Sequence, residues 1–532
     1  MPLTQRQPSP LPRLREDGVP FASEEDVIRG PSPAYLSPLP KSPNGSSLVT
    51  TRDKTPVPYS KLAPLLVQRW SEGLTYAIVF PYINQMILDM GVEEKSVGVW
   101  SAIAESAMMV TEAISAPFYG ALADKVGRRP VLIVLQSLFG LFGVAFGLSR
   151  TVWMAILLRS SLGLLAGCGV ISRTMVGELC DKSNRIQGFA IFSPSVIFGM
   201  TTAPLLGGFL AKPSGRILPA SWTLFTDYPY LLPALFTGGS AAISAILCIF
   251  LLPETLQRAK RDAQPRDIEK STNGGMQGLL KHEQFQNVLF LYGMNNAVMF
   301  AWEAIYPLFG FTNKNLGGLG LSTQTLGVVL GLSAGLSILM TIFVFPLLHG
   351  SLSESVCLRI CLLSYPAAVL FFPVLWAMSF PSEGDNLPSS VWVVMTIQMV
   401  LRRTGDFATT QLDTLVLDYI PGPEYLASAN ALTFSVAAVG RAVGSFIVSW
   451  VFSLSTRFSS PYSPGRHLVW LVFVLLCTPS VYLANRLLHG DPMKNETNDQ
   501  EERYELMNHH EGEARGTSVE LHIEEDVRYR IV

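Results

Sequence analysis

Ionisable side chains standing inside long apolar runs are where this sequence offers chemistry: Glu72, Glu105, Glu112, Arg159, Glu303, Arg402, Asp406 and Arg441. A carboxyl group surrounded by apolar atoms keeps its proton more readily than one in water, and one beside an arginine gives it up. Acids and arginines set in this way can load and unload a proton. Arg69 and Glu72 are spaced i, i+3 and Glu105 and Glu112 i, i+7, so each pair shares one face of a helix. Glu105 and Arg159 stand about nine and about seven residues into their runs, which places both roughly 10–14 Å from one end of a helix and lets them meet. Glu72, Glu105 and Glu112, with Arg159 as partner, are the candidates for proton exchange. Glu303, Arg402, Asp406 and Arg441 are candidates for a cavity in the second half of the chain. The simpler reading is that several of these are ion pairs fixing helix register. Either way each costs from ~2.5 kcal/mol upward at a bilayer centre unless it faces a partner or a cavity.

The elements that position these groups are membrane helices. The chain has 532 residues, 49% of them hydrophobic and only 15% charged, and its mean hydropathy is positive. Runs of roughly 20 apolar residues, enough to cross ~30 Å of hydrocarbon, are expected at 64–89, 96–120, 131–149, 152–177, 186–210, 229–252, 286–310, 324–348, 357–380, 389–417, 426–453 and 467–488. This predicts an all-α integral membrane fold with 12 transmembrane helices in two six-helix bundles, 62–252 and 285–490, joined by a central loop at 253–284. That loop holds Arg258, Lys260, Arg261, Arg266, Lys270 and Lys281, which places it, and with it both termini, in the cytoplasm. The tails, 1–61 with its Ser-Pro repeats and 491–532, have too little apolar content to bury a core and are expected to be disordered. A net charge of −2 argues against a nucleic-acid partner. The six cysteines lie in or beside apolar runs without disulfide or zinc spacing. No metal site, no cofactor and no enzymatic constellation is expected.

Between the second and third runs stands Gly120-Ala121-Leu122-Ala123-Asp124-Lys125-Val126-Gly127-Arg128-Arg129-Pro130. It is expected to be a water-facing hairpin of about ten residues, with Pro130 in the first turn of the next helix. Small residues form a second signal in the fifth run, where Gly199, Pro204, Gly207 and Gly208 allow close helix approach and a bend.

Together these stretches resemble the major facilitator superfamily. Gly120 to Pro130 looks like its signature between the second and third helices, Arg159-Ser160-Ser161-Leu162-Gly163 its fourth-helix motif, and Gly199 to Gly208 its antiporter motif. Arg69-Trp70-Ser71-Glu72-Gly73, Leu252-Pro253-Glu254-Thr255 and Arg441-Ala442-Val443-Gly444 are similar to the twelve-span drug:proton antiporter branch, near fungal zinc-induced-facilitator-like and tetracycline-efflux-like transporters. The resemblance covers about residues 62–488. It implies that Asp124 docks against the start of the eleventh helix and that Arg128 engages Glu178, forming a cytoplasmic gate with Gly120, Gly127 and Arg129. The second-half counterpart, Leu348 to Glu354, is degenerate.

The expected function is a monomeric multidrug efflux antiporter, exporting a small organic xenobiotic or secondary metabolite against protons across the plasma membrane. In-class alternatives are vacuolar storage and carriage of a small endogenous solute. Outside the class stands a non-transporting nutrient sensor built on a transporter scaffold.

Overall fold

In the computed structural model the described residues are 55–181, 184–256, 276–380, 386–420, 426–458 and 463–489. They are helical throughout, apart from turns and one isolated bridge between Ser214 and Leu218. Six of the helices precede residue 180: α1 (Tyr59–Ala77), α2 (Ile83–Asp89), α3 (Val97–Val126), α4 (Arg128–Gly147), α5 (Val152–Leu165) and α6 (Cys168–Leu179). They continue with α7 (Arg185–Leu210), α8 (Leu231–Leu251), α9 (Glu283–Phe311), α10 (Thr323–Leu339), α11 (Phe345–Ser351), α12 (Glu354–Val369) and α13 (Phe371–Ser379). The last are α14 (Ser389–Asp418), α15 (Leu426–Ser455) and α16 (Leu468–His489).

Several expected spans are interrupted, and two of the breaks lie beside a proline. The run expected as one helix over 64–89 is divided at 78–82, where Pro81 disfavours helical backbone at Phe80. A π turn at Met340–Val344 separates α10 from α11 immediately before Pro346, whose missing N–H the wider turn accommodates. The segment expected to open as tail is already packed at its end: Asn184 donates to the Thr55 carbonyl at 3.2 Å and to that of Pro56 at 3.3 Å. Among the described residues 10 helices are long and apolar enough to cross a membrane, against the 12 expected. α1 and α14 fall outside that set, because the charges that make them interesting, Arg69 and Glu72 or Arg402, Arg403, Asp406 and Asp413, also make them less apolar.

α1 packs on α7, α4 on α8, α3 on α5, α9 on α15 and α12 on α14, while α3–α15 and α7–α10 join helices from before and after the central loop. The small residues of α7 are divided between partners. A Cβ at Gly199 would stand 2.3 Å from the Trp70 carbonyl and one at Gly207 2.0 Å from that of Ile78, so both face α1. Gly208 faces α10, its added Cβ meeting Gly327 at 2.7 Å. Pro204 belongs to the same seam, with its carbonyl 2.8 Å from a Cβ built on Gly327.

Candidate functional site

The charged hairpin is tighter than the ten-residue link read from the sequence. Apolar content falls after Tyr119, but the helix does not end there: α3 continues to Val126 and α4 starts at Arg128, leaving Gly127 as the whole connection, at φ 121° and ψ 143°. That region favours glycine, and a Cβ would also approach Glu254 Oε2 at 2.9 Å. Glu254, quoted from the sequence only as part of the Leu252 to Thr255 motif, takes a role here that sequence reasoning missed. Its carboxylate accepts the backbone N–H groups of Arg128 and Arg129, each at 3.1 Å, and those of Thr255 and Leu256 at 3.0 Å. It thus caps the N-terminus of α4, where orphan donors and the helix dipole favour an anion. Replacing Glu254 with Ala should lower stability by about 1–2 kcal/mol, and Gly127→Ala by a similar amount. Thermal unfolding in detergent, followed by tryptophan fluorescence, measures both.

Arg128 is the centre of the hairpin's charge. Its guanidinium pairs with Glu178 at the end of α6 and with Asp124 one turn back on α3, at 3.1 Å. Arg129 donates to the Ile249 carbonyl in the last turn of α8. The Asp124 carboxylate is 62% exposed and pairs with Arg128. Residues 421–425, immediately before α15, lie outside the described residues. Nothing lies within 4 Å of a Cβ built on Gly120.

The buried charges divide into clusters. Glu72 pairs with Arg69 at 2.8 Å and accepts from Gln68 at 2.9 Å; Gln68 accepts from Ser172 of α6 at 2.6 Å. Glu105 and Arg159, 4% and 1% exposed, lie within reach of each other's charge. They close no ion pair within 4.0 Å, contrary to the meeting that equal depth suggested. Depth fixes height along a helix and leaves its rotation open. The Arg159 guanidinium lies instead over the Phe146 ring at 5.8 Å, with Nε and Nη1 lacking hydrogen-bond partners among the described residues. Glu112, 8% exposed, reaches across to Arg441 of α15 at 3.4 Å.

After the central loop, Arg402 is completely buried. It pairs with Asp406 and, at 3.0 Å, with Glu303. Arg403 adds contacts of 3.0 Å to Asp406 and 3.6 Å to Glu303, and donates to Ser333 at 3.0 Å. Two cations and two anions therefore balance, tying α9 to α14, with Tyr365 donating to Asp406 at 3.4 Å. The sequence placed Glu303, Arg402 and Asp406 in one group. Arg441 belongs elsewhere, with Glu112.

Comparison with known proteins agrees with this helical arrangement. The family model described as Major Facilitator Superfamily matches residues 65–445. Efflux pump azaK of Aspergillus niger is 28% identical over 78% of this chain and 85% of its own length. Protein ZINC INDUCED FACILITATOR 1 of Arabidopsis thaliana is 25% identical over 80% of this chain and 91% of its own. Among solved structures, a bacterial homolog of the human lysosomal transporter Spinster, inward-facing and unoccupied, superposes with a TM-score of 0.63 at 14% identity. It spans 81% of this chain and 98% of that one.

Proposed function

The chain belongs to the Major Facilitator Superfamily, and on that premise we propose that it exports small organic molecules by proton antiport, alternating access between two six-helix bundles. This superfamily is itself a type case of halves rocking about a midplane site. The observation that carries the proton reading is the placement of Glu105 and Glu112 on one face of α3, both almost fully buried, in the helix that packs against α15. An ionisable group buried at such a seam is costly unless it faces a partner or a cavity, and an acid held there suits a group that takes up and releases a proton. Glu72 is the third proton candidate, and Arg159 the cation nearest Glu105. The cargo assignment is supported by the similarity to the Aspergillus relative, which is named as an efflux pump.

The hairpin fits a gate on the cytoplasmic face. Arg128 bonded to Glu178 and Asp124, with Glu254 fixing the start of α4, ties α3, α4, α6 and the end of α8 into one unit that moves as a body. Asp124→Asn should leave insertion intact and slow transport several-fold. The measurement is retention of a panel of organic compounds in a yeast host lacking its own efflux pumps, with surface amount determined in parallel. The wild type should lower retention of some members, and a protonophore should abolish the difference. Export that survives the protonophore contradicts the antiport reading, and unaltered export by Asp124→Asn contradicts the gate.

A further inference from the structure

Thr55 and Pro56 stand exposed just ahead of α1, held by the turn between α6 and α7. The Thr55 hydroxyl donates to Asp181 Oδ2 at 3.2 Å. The Asn184 side-chain amide donates to the same hydroxyl at 3.3 Å and to the Thr55 and Pro56 carbonyls at 3.2 and 3.3 Å. The Asn184 side-chain oxygen accepts the Asp181 backbone N–H at 2.8 Å. Asn184 is 2% exposed and immediately precedes the first turn of α7, where an asparagine ordinarily caps the helix with its side chain. It makes no such cap, and its side chain is committed to the approach to α1 instead. Because α1 packs along α7, this small cluster ties together the starts of two neighbouring helices. Residues 182 and 183, within the turn, lie outside the described residues.

Thr55 has the properties of a substrate for a proline-directed protein kinase. A proline follows the threonine, both residues are exposed, and residues 55–58 carry no regular structure. Pro56 also disfavours helical backbone at Thr55, so the chain here suits the extended groove of a kinase. The position lies on the face of the charged hairpin, since Asp181 is three residues past Glu178, which Arg128 holds. The cations of that hairpin assign the face to the cytoplasm, where ATP is available.

We propose that Thr55 is a phosphorylation site for a proline-directed protein kinase, and that its phosphate unties the start of α1 from the turn between α6 and α7. ATP supplies the phosphoryl group. The bond from its γ-phosphorus to the bridging oxygen breaks, leaving ADP; a bond from Thr55 Oγ1 to that phosphorus forms; and the hydroxyl proton passes to the kinase's catalytic aspartate. The product carries a charge of about −1.5 to −2. It has no proton to give Asp181, so two anions face each other where a donor met an acceptor. The N-terminus of α7 attracts phosphate as well, but it carries only about half a positive charge, against the full negative charge of a carboxylate in direct contact with Oγ1. Repulsion therefore prevails. The site depends on neither the cargo nor the coupling ion.

The test uses the full chain in phosphatidylcholine nanodiscs, which leave both faces open, with Mg–ATP and a cyclin-dependent kinase as the probe. Mass spectrometry locates the phosphate and follows amide hydrogen exchange before and after the reaction. Phosphate should appear on Thr55. The amides of Tyr59, Lys61 and Leu62, bonded to the carbonyls of Val57 and Pro58, and that of Asp181, bonded to Asn184, should then exchange about tenfold faster. Pro56→Ala should take no phosphate on Thr55, and the kinase should leave exchange at these amides unaltered. Asp181→Asn should still be phosphorylated on Thr55 but respond less than the wild type, because it keeps an acceptor and loses the charge. Absence of phosphate on Thr55 overturns the site, with labelling of Ser9, Ser32, Ser37 or Ser42, each followed by proline, as the control for an active kinase. Phosphate on Thr55 with exchange unchanged overturns the untying, and so does slower exchange, which would mean that the phosphate caps α7. A full response in Asp181→Asn overturns the repulsion that drives it.

Discussion

Replacing Arg402 with Met should cost about 3–5 kcal/mol of stability and most of the folded protein recovered in detergent. The guanidinium is fully buried and serves Glu303 and Asp406 together, and its ring neighbours Trp302 and Tyr365 lie 5.8 and 5.2 Å from it. Without it, two carboxylates share Arg403 alone, and a buried charge stripped of its partner is the costliest single loss of this kind. Pairing Arg402→Met with Asp406→Asn removes one charge of each sign and should restore part of the loss, so the double variant should melt above the single one. Equal melting temperatures for the two would mean that the four charges act independently.

Gly444→Val should be comparably severe for a different reason. A Cβ there would stand 2.0 Å from the Ala297 carbonyl oxygen and 2.6 Å from its carbon, both backbone atoms of α9. α9 and α15 would have to move apart along the seam that also carries Gly440, whose Cβ would meet the Gly293 carbonyl at 2.4 Å. Overpacking of this kind costs about 1–3 kcal/mol even where side chains can yield, and backbone yields less. Gly335→Ala is the matched control, since nothing stands within 4 Å of its added Cβ. It should be neutral or gain up to about 1 kcal/mol from better helix propensity. In detergent, Gly444→Val should melt below the wild type and Gly335→Ala at or above it.

The helices were readable because length and apolarity are local properties, and the same holds for the family, whose motifs are short and contiguous. The pairing of Arg128 with Glu178 followed from the resemblance. The capping role of Glu254 did not, because it joins residues 126 apart and a carboxylate after a proline carries no sign of which helix it caps. Likewise Glu112 and Arg441 stand 329 residues apart; sequence spacing places each on a face of its own helix but leaves open which faces meet. Glu105 and Arg159 illustrate the same limit from the other direction, since matched depth allows contact but fixes only height, and they close no ion pair within 4.0 Å. The hairpin was drawn too long because loss of hydrophobicity does not mark where a helix ends, and α3 continues past Tyr119 for about two further turns.

The most direct test of the account measures protons against cargo. Purified protein is placed in vesicles enclosing a pH-sensitive dye, with a compound that the wild type clears from the yeast host supplied on one side and no nucleotide present. The compound should move only while protons move the opposite way, a protonophore should end the exchange, and at least one of Glu72→Gln, Glu105→Gln and Glu112→Gln should break the link between the two fluxes. Cargo movement without proton movement, or unchanged coupling in all three variants, would contradict it.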